Sequence, residues 1–280
     1  MLIVQTIAEL KACLNGEREQ GHSVGLVPTM GALHAGHASL VERSVKENDV
    51  TVVSIFLNPT QFNDKKDLER YPRTLEADCE LLEKCGAQVV FAPSVEEVYP
   101  EPDTRVFSYP PTDAVMEGAF RPGHFNGVCQ IVSKLFDYVE PDRAYFGEKD
   151  YQQICVIRRM VEDLKMDINI VACPVIREES GLARSSRNTL LSDDERQLAA
   201  HIYRVLSESR KQQMSVAETH DFVVSEIDAI EGLKVQYFSI VDGLTLADVS
   251  TWDDAESVVG CITVYCGAVP IRLIDHIRYK

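Results

Sequence analysis

The first 175 residues of the chain alternate between short apolar runs and stretches with helical periodicity. The clearest helical stretch covers residues 126–139, where apolar side chains recur at i, i+3, i+4 and i+7. Alternation of strands and helices is typical of a parallel sheet that is covered by helices on both faces. The apolar runs predict five strands, at Ser23–Val27, Asp49–Leu57, Ala87–Ala92, Arg143–Phe146 and Asp167–Val171.

The pattern changes near residue 175. Residues 177–188 are too polar for a core and have no strand period. Ser192 and Ser215 are each followed three residues later by glutamate, and these capping boxes predict two helix starts. Apolar runs with the spacing of short antiparallel strands lie at 236–241, 258–265 and 271–274. We therefore expect residues 1–175 to form a Rossmann-like α/β domain and residues 176–280 a smaller α+β lid domain.

The charge of the chain limits its binding partners. Its 280 residues include 44 acidic and 28 basic side chains, which gives a formal net charge of −16. Such a surface repels phosphate backbones and anionic lipids, so nucleic-acid and membrane-surface roles are disfavoured. An anionic substrate would need a local cluster of cations. No apolar run approaches the roughly eighteen residues of a membrane span, and the N-terminus has no pattern of an export signal.

Eight cysteines are scattered through the chain, most of them within apolar runs. None forms a C-x-x-C pair, and no His/Cys cluster has the spacing of a zinc site. Isolated thiols in apolar surroundings indicate reduced core residues, with disulfides as the less favoured alternative. The cysteine pattern therefore favours a cytoplasmic protein without a structural metal.

The sharpest local feature is the sequence H-A-G-H at residues 34–37, directly after the first central strand. A turn that leads from a strand into a helix presents backbone N–H groups and the positive end of the helix dipole to an anion. His34 and His37 are three residues apart, so both can face that anion, and Gly36 removes a Cβ from its path. Two ordinary histidines at a helix start are the alternative, which we consider weaker because spacing and position coincide.

Polar side chains also follow two other strands. Asn58 and Gln61 come directly after the second strand, at the edge where open parallel sheets bind ligands. The amide of Gln61 offers donors and an acceptor to a hydroxy acid, although Asn-Pro turn chemistry alone would also explain the segment. In residues 147–153, Gly147 would permit close approach of a nucleotide and Lys149 would supply a point charge to phosphate. An exposed lysine on a capped helix is the simpler interpretation of that segment.

The sequence R-S-S-R at residues 184–187 is a candidate phosphate-binding loop. Two hydroxyl groups and two guanidinium groups can surround a triphosphate, and Arg187 can bind its oxygens in a bidentate manner. Composition alone would favour a solvated linker between domains. No G-x-x-x-x-G-K-[ST] sequence is present, so the γ-phosphoryl transfer of a P-loop kinase is not indicated.

These motifs together carry a resemblance to a known family. The H-x-G-H turn resembles that of the nucleotidylyltransferase superfamily, which includes class I aminoacyl-tRNA synthetases. The longer string VPTMGALHAGH, residues 27–37, resembles the pantothenate synthetase (pantoate–β-alanine ligase) family. One departure lies in the R-S-S-R loop, where this chain has Arg184 and that family usually has Met. Five further segments are similar to the family in the same order and extend the resemblance over most of the chain: FLNPTQF, YPRTLEAD, GHFNGV, YFGEKDYQQ and GLARSSRN.

The resemblance implies an ATP-dependent ligase without a protein nucleophile. Pantoate would attack the α-phosphorus of ATP to give pantoyl-adenylate and pyrophosphate. β-Alanine would then attack the activated carbonyl, which would release AMP and give pantothenate. The resemblance also implies Mg²⁺ on the phosphate oxygens with few protein ligands, and a homodimer.

The resemblance assigns roles to particular residues, none of them as a metal ligand. The catalytic set would be His34, His37, Lys149 and Arg187. ATP would be bound by Met30, Gly31, His34, His37, Gly147, Lys149, Asp150, Ile176, Arg184, Ser185, Ser186 and Arg187. Pantoate and β-alanine would be bound by Asn58, Gln61 and Gln153. Asp150 alternatively caps its helix, and Ile176 occupies the place of an apolar residue beside adenine.

Two other functions stay open on the sequence. A nucleotidylyltransferase that makes a dinucleotide or a CDP-alcohol would share the H-x-G-H turn, but would need a base-and-phosphate acceptor site in place of the paired glutamines. A nucleotide-binding regulatory module would bind ATP without releasing pyrophosphate. A tRNA-dependent role is disfavoured by the negative charge and by the lack of an extension of the size of an anticodon-binding domain.

Overall fold

A computed structural model of the chain describes residues 1–63, 68–69 and 71–280. The first of its two sheets has six parallel strands in the order β1-β4-β3-β2-β5-β6. The five predicted strands are confirmed, and β1 is an additional one. The strands are β1 Leu2–Val4, β2 Val24–Thr29, β3 Val50–Ile55, β4 Val89–Phe91, β5 Arg143–Gly147 and β6 Asn169–Cys173.

The unpredicted strand β1 lies at the edge of the sheet, where it pairs with β4. It has three residues, and Leu2 and Ile3 are each 48% exposed. Short edge strands limit the number of unpaired backbone groups that a sheet offers to other chains. A run this short lacks the length and the buried pattern from which a strand is recognised in a sequence.

Helices lie between the strands of this sheet, and several of them have well-defined caps. Thr6 begins α1 with a capping box, and Gly86 ends α3 in a left-handed conformation. The apolar face predicted for residues 126–139 is buried on α6. The helices of this part are α1 Ile7–Glu19, α2 Ala35–Glu47, α3 Leu75–Cys85, α4 Val95–Val98, α5 Glu117–Phe120, α6 His124–Val139 and α7 Tyr151–Asp163.

Two apolar cores lie on opposite faces of the parallel sheet, because successive residues of a strand point to opposite sides. Leu26 and Val52 belong to the core that contains residues of α1, α6 and α7. Val27 and Val53 belong to the second core, which contains residues of α2 and α3. All four side chains are fully buried. Burial on both faces explains why β2 and β3 appear in the sequence as continuous apolar runs.

The second sheet is antiparallel, with the strand order β7-β8-β9, as the three C-terminal runs predict. Two helices pack against it, and their capping boxes at Ser192 and Ser215 are confirmed. Helix α7 packs against the C-terminal sheet in a small apolar cluster that includes Cys155 of α7 and Val259 of β8. The division of the chain near residue 175 stays a prediction. The elements are α8 Asp193–Ser209, α9 Val216–Asp228, β7 Leu233–Asp242, β8 Val258–Cys266 and β9 Ile271–Arg278.

Residues 177–188 differ from the solvated linker that their composition favours. The Arg184 N–H donates to the Ile176 carbonyl at 2.9 Å, and the Glu178 N–H donates to the Leu182 carbonyl at 2.8 Å, which closes a short hairpin. Leu182 and Ala183 are each 5% exposed. The segment is therefore a folded part of the molecule despite its polarity.

The side chain of Arg177 explains how so polar a hairpin packs. Its guanidinium donates two hydrogen bonds to the Asp275 carboxylate of β9, at 2.6 and 2.9 Å. The same guanidinium lies over the ring of Tyr203 in α8, 3.4 Å from its centre. A bidentate pair of this kind satisfies both charges at once, so the hairpin can be held against the C-terminal sheet.

All eight cysteines are free thiols. Of the helices in the described part of the chain, none has the length and apolar character needed to span a membrane.

The packing of β2 can be tested with two glycine substitutions. A Cβ on Gly25 would overlap the side chains of Ser44 and Asn48, whereas one on Gly16 of α1 would meet nothing within 4 Å. We expect Gly25→Ala to lower the free energy of unfolding by about 1–3 kcal/mol, the usual cost of overpacking. Gly16→Ala, the matched control, should raise it by about 0.5–1 kcal/mol because alanine favours a helix. Urea denaturation measures both changes, and equal stabilities of the two variants would contradict the packing described.

Candidate active site

The turn from β2 into α2 contains two residues with a left-handed backbone. Gly31 has a φ of 84° and Ala32 a φ of 52°, a strained value for a residue that has a Cβ. Asp78 of α3 holds this turn in place. Its buried carboxylate accepts hydrogen bonds from the N–H of Ala32 at 3.0 Å, the N–H of Leu33 at 2.8 Å and the hydroxyl of Thr74 at 3.1 Å.

Helix α2 begins at Ala35, so that His34 is its N-cap. Nδ1 of His34 accepts from the N–H of Gly36 at 3.1 Å, and Nδ1 of His37 accepts from the N–H of His34 at 3.3 Å. The two imidazoles thus form a reciprocal capping box, with ring centres 4.1 Å apart. Because each Nδ1 accepts, the proton of each neutral ring is on Nε2. The Nε2–H groups are left as donors for a ligand.

Gly36 has a second role besides the one expected from the sequence. A Cβ at this residue would lie 2.8 Å from Cε1 of His34 and 2.9 Å from its Nδ1. The glycine therefore makes room for the capping ring of His34 in addition to any clearance that it gives to a ligand.

Burial lowers the pKa of both imidazoles of this turn. For His34, burial and then the charges of Lys149 and Arg184 lower the pKa to about 4. For His37, burial and then His34 and Lys149 lower the pKa to about 3. Both rings are therefore neutral at pH 7, and they donate hydrogen bonds without carrying charge.

The H-A-G-H turn faces a cavity of about 240 Å³ at the carboxyl ends of β2, β3 and β5. The strand order reverses beside β2, which makes this edge the usual ligand position of an open α/β sheet. Of the predicted site residues, Gly31 lies in the adjoining turn and does not line the cavity. The others line it together: Met30, His34, His37, Asn58, Gln61, Gly147, Lys149, Asp150, Gln153, Ile176, Arg184, Ser185, Ser186 and Arg187.

Asn58 holds the turn that carries Gln61. Its side chain is buried, with 1% of the residue exposed. Its Nδ2 donates to Oε1 of Gln61 and to the carbonyl of Gly127, both at 3.1 Å, and its Oδ1 accepts from the hydroxyl of Tyr99 at 2.9 Å. On the far side, Nε2 of Gln61 lies 3.1 Å from the sulfur of Met30. Direct binding of substrate by Asn58 stays a prediction, since these contacts support an action through Gln61.

Helix α6 contributes an apolar wall to the cavity, which the sequence pattern identified only as a core face. The wall consists of Val128, Ile131, Val132 and Leu135. Their i, i+3, i+4, i+7 spacing is the same for packing against a sheet and for packing against a ligand, so periodicity alone does not separate the two.

Gly147 and Lys149 lie at the carboxyl end of β5. Gln61 follows β3, and β2 with its H-A-G-H turn lies between these two strands. Nζ of Lys149 lies 3.2 Å from Oδ2 of Asp150. Gly147 has an ordinary φ of −77°, and a Cβ on it would meet nothing within 4 Å. Neither conformation nor packing therefore requires a glycine here, and the close approach of a nucleotide to Gly147 stays a prediction.

The R-S-S-R loop is anchored to the hairpin that precedes it. The hydroxyl of Ser185 accepts from the N–H of Arg187 at 3.3 Å and caps a short 3₁₀ helix, Ser186–Leu190. Nδ2 of Asn188 donates to the carbonyl of Ala183 at 3.1 Å. Arg184 brings this loop close to the H-A-G-H turn, because its Cβ lies 4.0 Å from the position that a Cβ on Gly36 would occupy. The loop and the H-A-G-H turn thus face each other across the cavity.

Three further cavity residues, Tyr71, Arg121 and His124, were not identified from the sequence as candidates. Burial raises the pKa of Tyr71, which hydrogen-bonds Ser186 of the R-S-S-R loop. These residues lie in or beside the segments YPRTLEAD and GHFNGV, so the family resemblance was the signal that could have found them. Asp78 belongs to the first of these segments as well.

Comparisons with known proteins give one consistent result. The family model described as Pantoate-beta-alanine ligase matches residues 2–278. The pantothenate synthetase of Bacteroides thetaiotaomicron is 64% identical to the chain over 282 residues, which cover 100% of the chain and 99% of that protein.

Two solved structures are similar over the whole chain. The pantothenate synthetase of Thermus thermophilus is 46% identical with a TM-score of 0.93, covering 100% of the chain and 99% of that structure. The pantoate-beta-alanine ligase of Francisella tularensis, complexed with Beta-gamma ATP and Beta-alanine, is 34% identical with a TM-score of 0.83, covering 100% and 98%.

The neutral imidazoles can be observed directly by NMR of ¹⁵N-histidine. His34 and His37 should keep the Nε2–H form from pH 8 to about pH 5, because their pKa values lie near 4 and 3. Free imidazole in the same sample titrates and is the control.

The same pKa shifts predict an effect on stability. Unfolded histidines have a pKa of about 6.5, so the unfolded chain takes up protons first as the pH falls. The contribution of both sites to stability should therefore decrease as the pH falls from about 6.5 toward 4. Charging of either ring between pH 7 and 6 in the spectra would contradict the burial described.

Proposed function

The chain belongs to the pantoate-beta-alanine ligase family, and we infer that it condenses pantoate with β-alanine to pantothenate in an ATP-dependent reaction. The observation that carries this inference is the cavity itself. It brings two N–H-donating imidazoles, the cations of Lys149 and the R-S-S-R loop, and the amides of Gln61 and Gln153 to one place. The ligands of the Francisella protein, Beta-gamma ATP and Beta-alanine, agree with two of the three proposed substrates.

We propose that pantoate lies between the paired glutamines and the apolar wall of α6. Pantoate is a branched hydroxy acid, so it presents methyl groups to an apolar surface and hydroxyl groups to amides. Gln61 and Gln153 line the same cavity as that wall. Among the described residues, the side chain of Gln153 makes no hydrogen bond, so its amide is available to a ligand. Asn58 acts through Gln61 by fixing its Oε1 at 3.1 Å.

ATP is proposed to lie across the ends of β2 and β5. Gly147 leaves space for the nucleoside, and Ile176 offers an apolar contact to the base. The phosphates would meet Lys149, Arg184 and Arg187, together with the hydroxyls of Ser185 and Ser186. The chain has a net charge of −16, and this local group of cations offsets its repulsion of a tetra-anionic substrate. Arg184 adds a guanidinium beside His34, whose pKa it helps to lower.

The reaction proceeds in two steps in our proposal. A carboxylate oxygen of pantoate attacks the α-phosphorus of ATP, the bond to the bridging oxygen breaks, and pyrophosphate leaves. The amine of β-alanine then attacks the carbonyl carbon of pantoyl-adenylate, and AMP leaves with the carboxylate oxygen. His34 and His37 donate hydrogen bonds to phosphoryl oxygens, and Lys149 and Arg187 stabilise the charge that develops there.

Mg²⁺ would accompany ATP. Among the described residues, no group of three or more His, Cys, Asp or Glu side chains is placed to hold a metal ion, and Asp150 is the carboxylate that lines the cavity. This donor set fits an ion that is held mainly by phosphate oxygens and water, with Asp150 as the nearby protein oxygen. Bound in this way, the ion neutralises phosphate charge.

Three further features belong to the proposal. Residues 176–280 act as a lid domain over residues 1–175, since the R-S-S-R loop is anchored to the C-terminal sheet through Arg177. A homodimer is expected from the resemblance. A cytoplasmic location fits the free thiols and a biosynthetic ligase.

The rival nucleotidylyltransferase reaction needs a second nucleotide or phosphorylated alcohol as the acceptor. The apolar wall and the paired amides fit a small branched acid better than a base and its phosphate. A regulatory module that only binds ATP would not need the amide pair at all.

The acyl-adenylate route predicts isotope exchange. With pantoate present and β-alanine absent, labelled pyrophosphate should enter ATP, and Lys149→Ala should suppress the exchange because it removes a phosphate contact. Omission of pantoate is the control and should abolish exchange. ¹⁸O from the pantoate carboxylate should appear in AMP. The formation of ADP, with ¹⁸O in inorganic phosphate, would instead indicate an acyl-phosphate ligase.

The proposed approach of the nucleoside to β5 predicts a selective effect of Gly147→Ala. The added methyl group would occupy space that is open in the folded chain, so the free energy of unfolding should change by less than about 0.5 kcal/mol. The dissociation constant of ATP should rise roughly tenfold, which corresponds to an overpacking cost of about 1–2 kcal/mol in the complex. Calorimetric titration measures it, with Gly16→Ala as the control. Unchanged ATP affinity would mean that the nucleoside lies elsewhere.

A further inference from the structure

A chain of polar side chains joins the C-terminal sheet to the turn that carries Gln61. Its members, in order, are Arg272, Glu117, Arg121 and His124. We propose that this chain is a positioning relay, through which the docking of β9 sets the orientation of Gln61 and so makes pantoate binding depend on the C-terminal sheet. The inference rests on the proposed function, because it takes Gln61 as a ligand of pantoate.

The relay begins at Glu117, whose carboxylate receives donors from all three strands of the C-terminal sheet. Arg272 of β9 donates to both carboxylate oxygens, at 2.7 and 2.6 Å. The hydroxyls of Tyr237 in β7 and Thr263 in β8 donate to Oε1 at 2.8 and 3.0 Å. Burial alone would raise the pKa of Glu117, but the bonds and charge of Arg272 outweigh it and hold the pKa at about 2. Glu117 is thus an ionised group that depends on the sheet for its nearest charge partner, Arg272.

Arg121 is the second link, at the end of the short helix that Glu117 begins. One of its guanidinium nitrogens lies 3.6 Å from Oε2 of Glu117. The same nitrogen donates to Nε2 of His124 at 3.2 Å. A change in the position of the Glu117 carboxylate therefore moves the donor that His124 requires.

His124 is the final link, and its tautomer is fixed by its two neighbours. Because Nε2 accepts from Arg121, the proton of the neutral ring is on Nδ1, which donates to the backbone carbonyl of Gln61 at 2.9 Å. Burial, and then the charge of Arg121, lower the pKa of His124 to about 4, so the ring is neutral at pH 7. Gly127, one turn further along α6, lies against the backbone of Thr60 and Gln61, where a Cβ would overlap it.

Strand β9 has a second connection to the cavity, on the nucleotide side. Asp275, three residues after Arg272, binds Arg177 and thereby holds the hairpin that leads to Arg184. One strand therefore supports the Gln61 turn through Arg272 and the R-S-S-R loop through Asp275. Both pairs are largely buried bidentate arginine–carboxylate contacts, but one leads to the Gln61 turn and the other to the R-S-S-R loop. Each pair is therefore a matched control for the other.

The test compares substrate affinities of full-length variants by calorimetry and by KM. His124→Leu removes the donor to Gln61 and should raise the dissociation constant of pantoate about tenfold, with that of ATP changed less than about twofold. His124→Asn, whose amide can replace the Nδ1 donor, should restore most of the affinity. Glu117→Gln should also raise the constant for pantoate selectively. Asp275→Asn, the matched control, should raise the constant for ATP instead.

A double-mutant cycle separates a relay from independent contacts. In a relay, Glu117→Gln combined with His124→Leu should bind pantoate no more weakly than His124→Leu alone. Additive losses, or losses of pantoate and ATP affinity of equal size, would overturn the proposal and leave these residues as structural supports. Should Glu117→Gln fail to fold, Tyr237→Phe, which removes one donor to the same carboxylate, takes its place. An unmodified enzyme that neither binds pantoate nor forms AMP would refute the proposed function itself.

Discussion

The hydrogen bonds from the Ala32 and Leu33 backbone to Asp78 are the interaction on which the site depends. They hold the β2–α2 turn in a strained left-handed conformation, with Ala32 at a φ of 52°. This turn sets where α2 begins, and the helix start in turn makes His34 a cap and fixes both imidazole tautomers. A carboxylate on a neighbouring helix thus determines which nitrogen of each histidine faces the ligand.

The cavity at the ends of β2, β3 and β5 separates charge from hydrogen bonding. Lys149 and the arginines of the R-S-S-R loop supply positive charge, whereas His34 and His37 supply neutral donors because burial, and then nearby charges that include Lys149, lower their pKa. An acidic molecule can hold a polyphosphate in this way without a broad basic surface. The C-terminal part of the chain brings its share of the cations on a hairpin that the Arg177–Asp275 pair holds against the C-terminal sheet.

Much of this architecture was predictable from the sequence, since long-range packing agreed with local pattern. β2 and β3 are buried on both faces, and Ser192 and Ser215 cap the two helices that their capping boxes predict. The prediction failed at two places. β1 is too short to show a pattern, and Arg177 allows a polar hairpin to pack against the C-terminal part of the molecule. The role of Asp78 was also invisible, because one carboxylate in a helix carries no sign of the distant turn that it binds.

The neutral state of His34 and His37 has a consequence for inhibitor chemistry. A site that offers only cations selects ligands by net charge, and such ligands lose hydration energy on entering a cavity. Two uncharged N–H groups select instead for acceptor atoms at a fixed spacing. A sulfonyl linker, which has two acceptor oxygens and no charge, therefore matches the two donors of this part of the cavity.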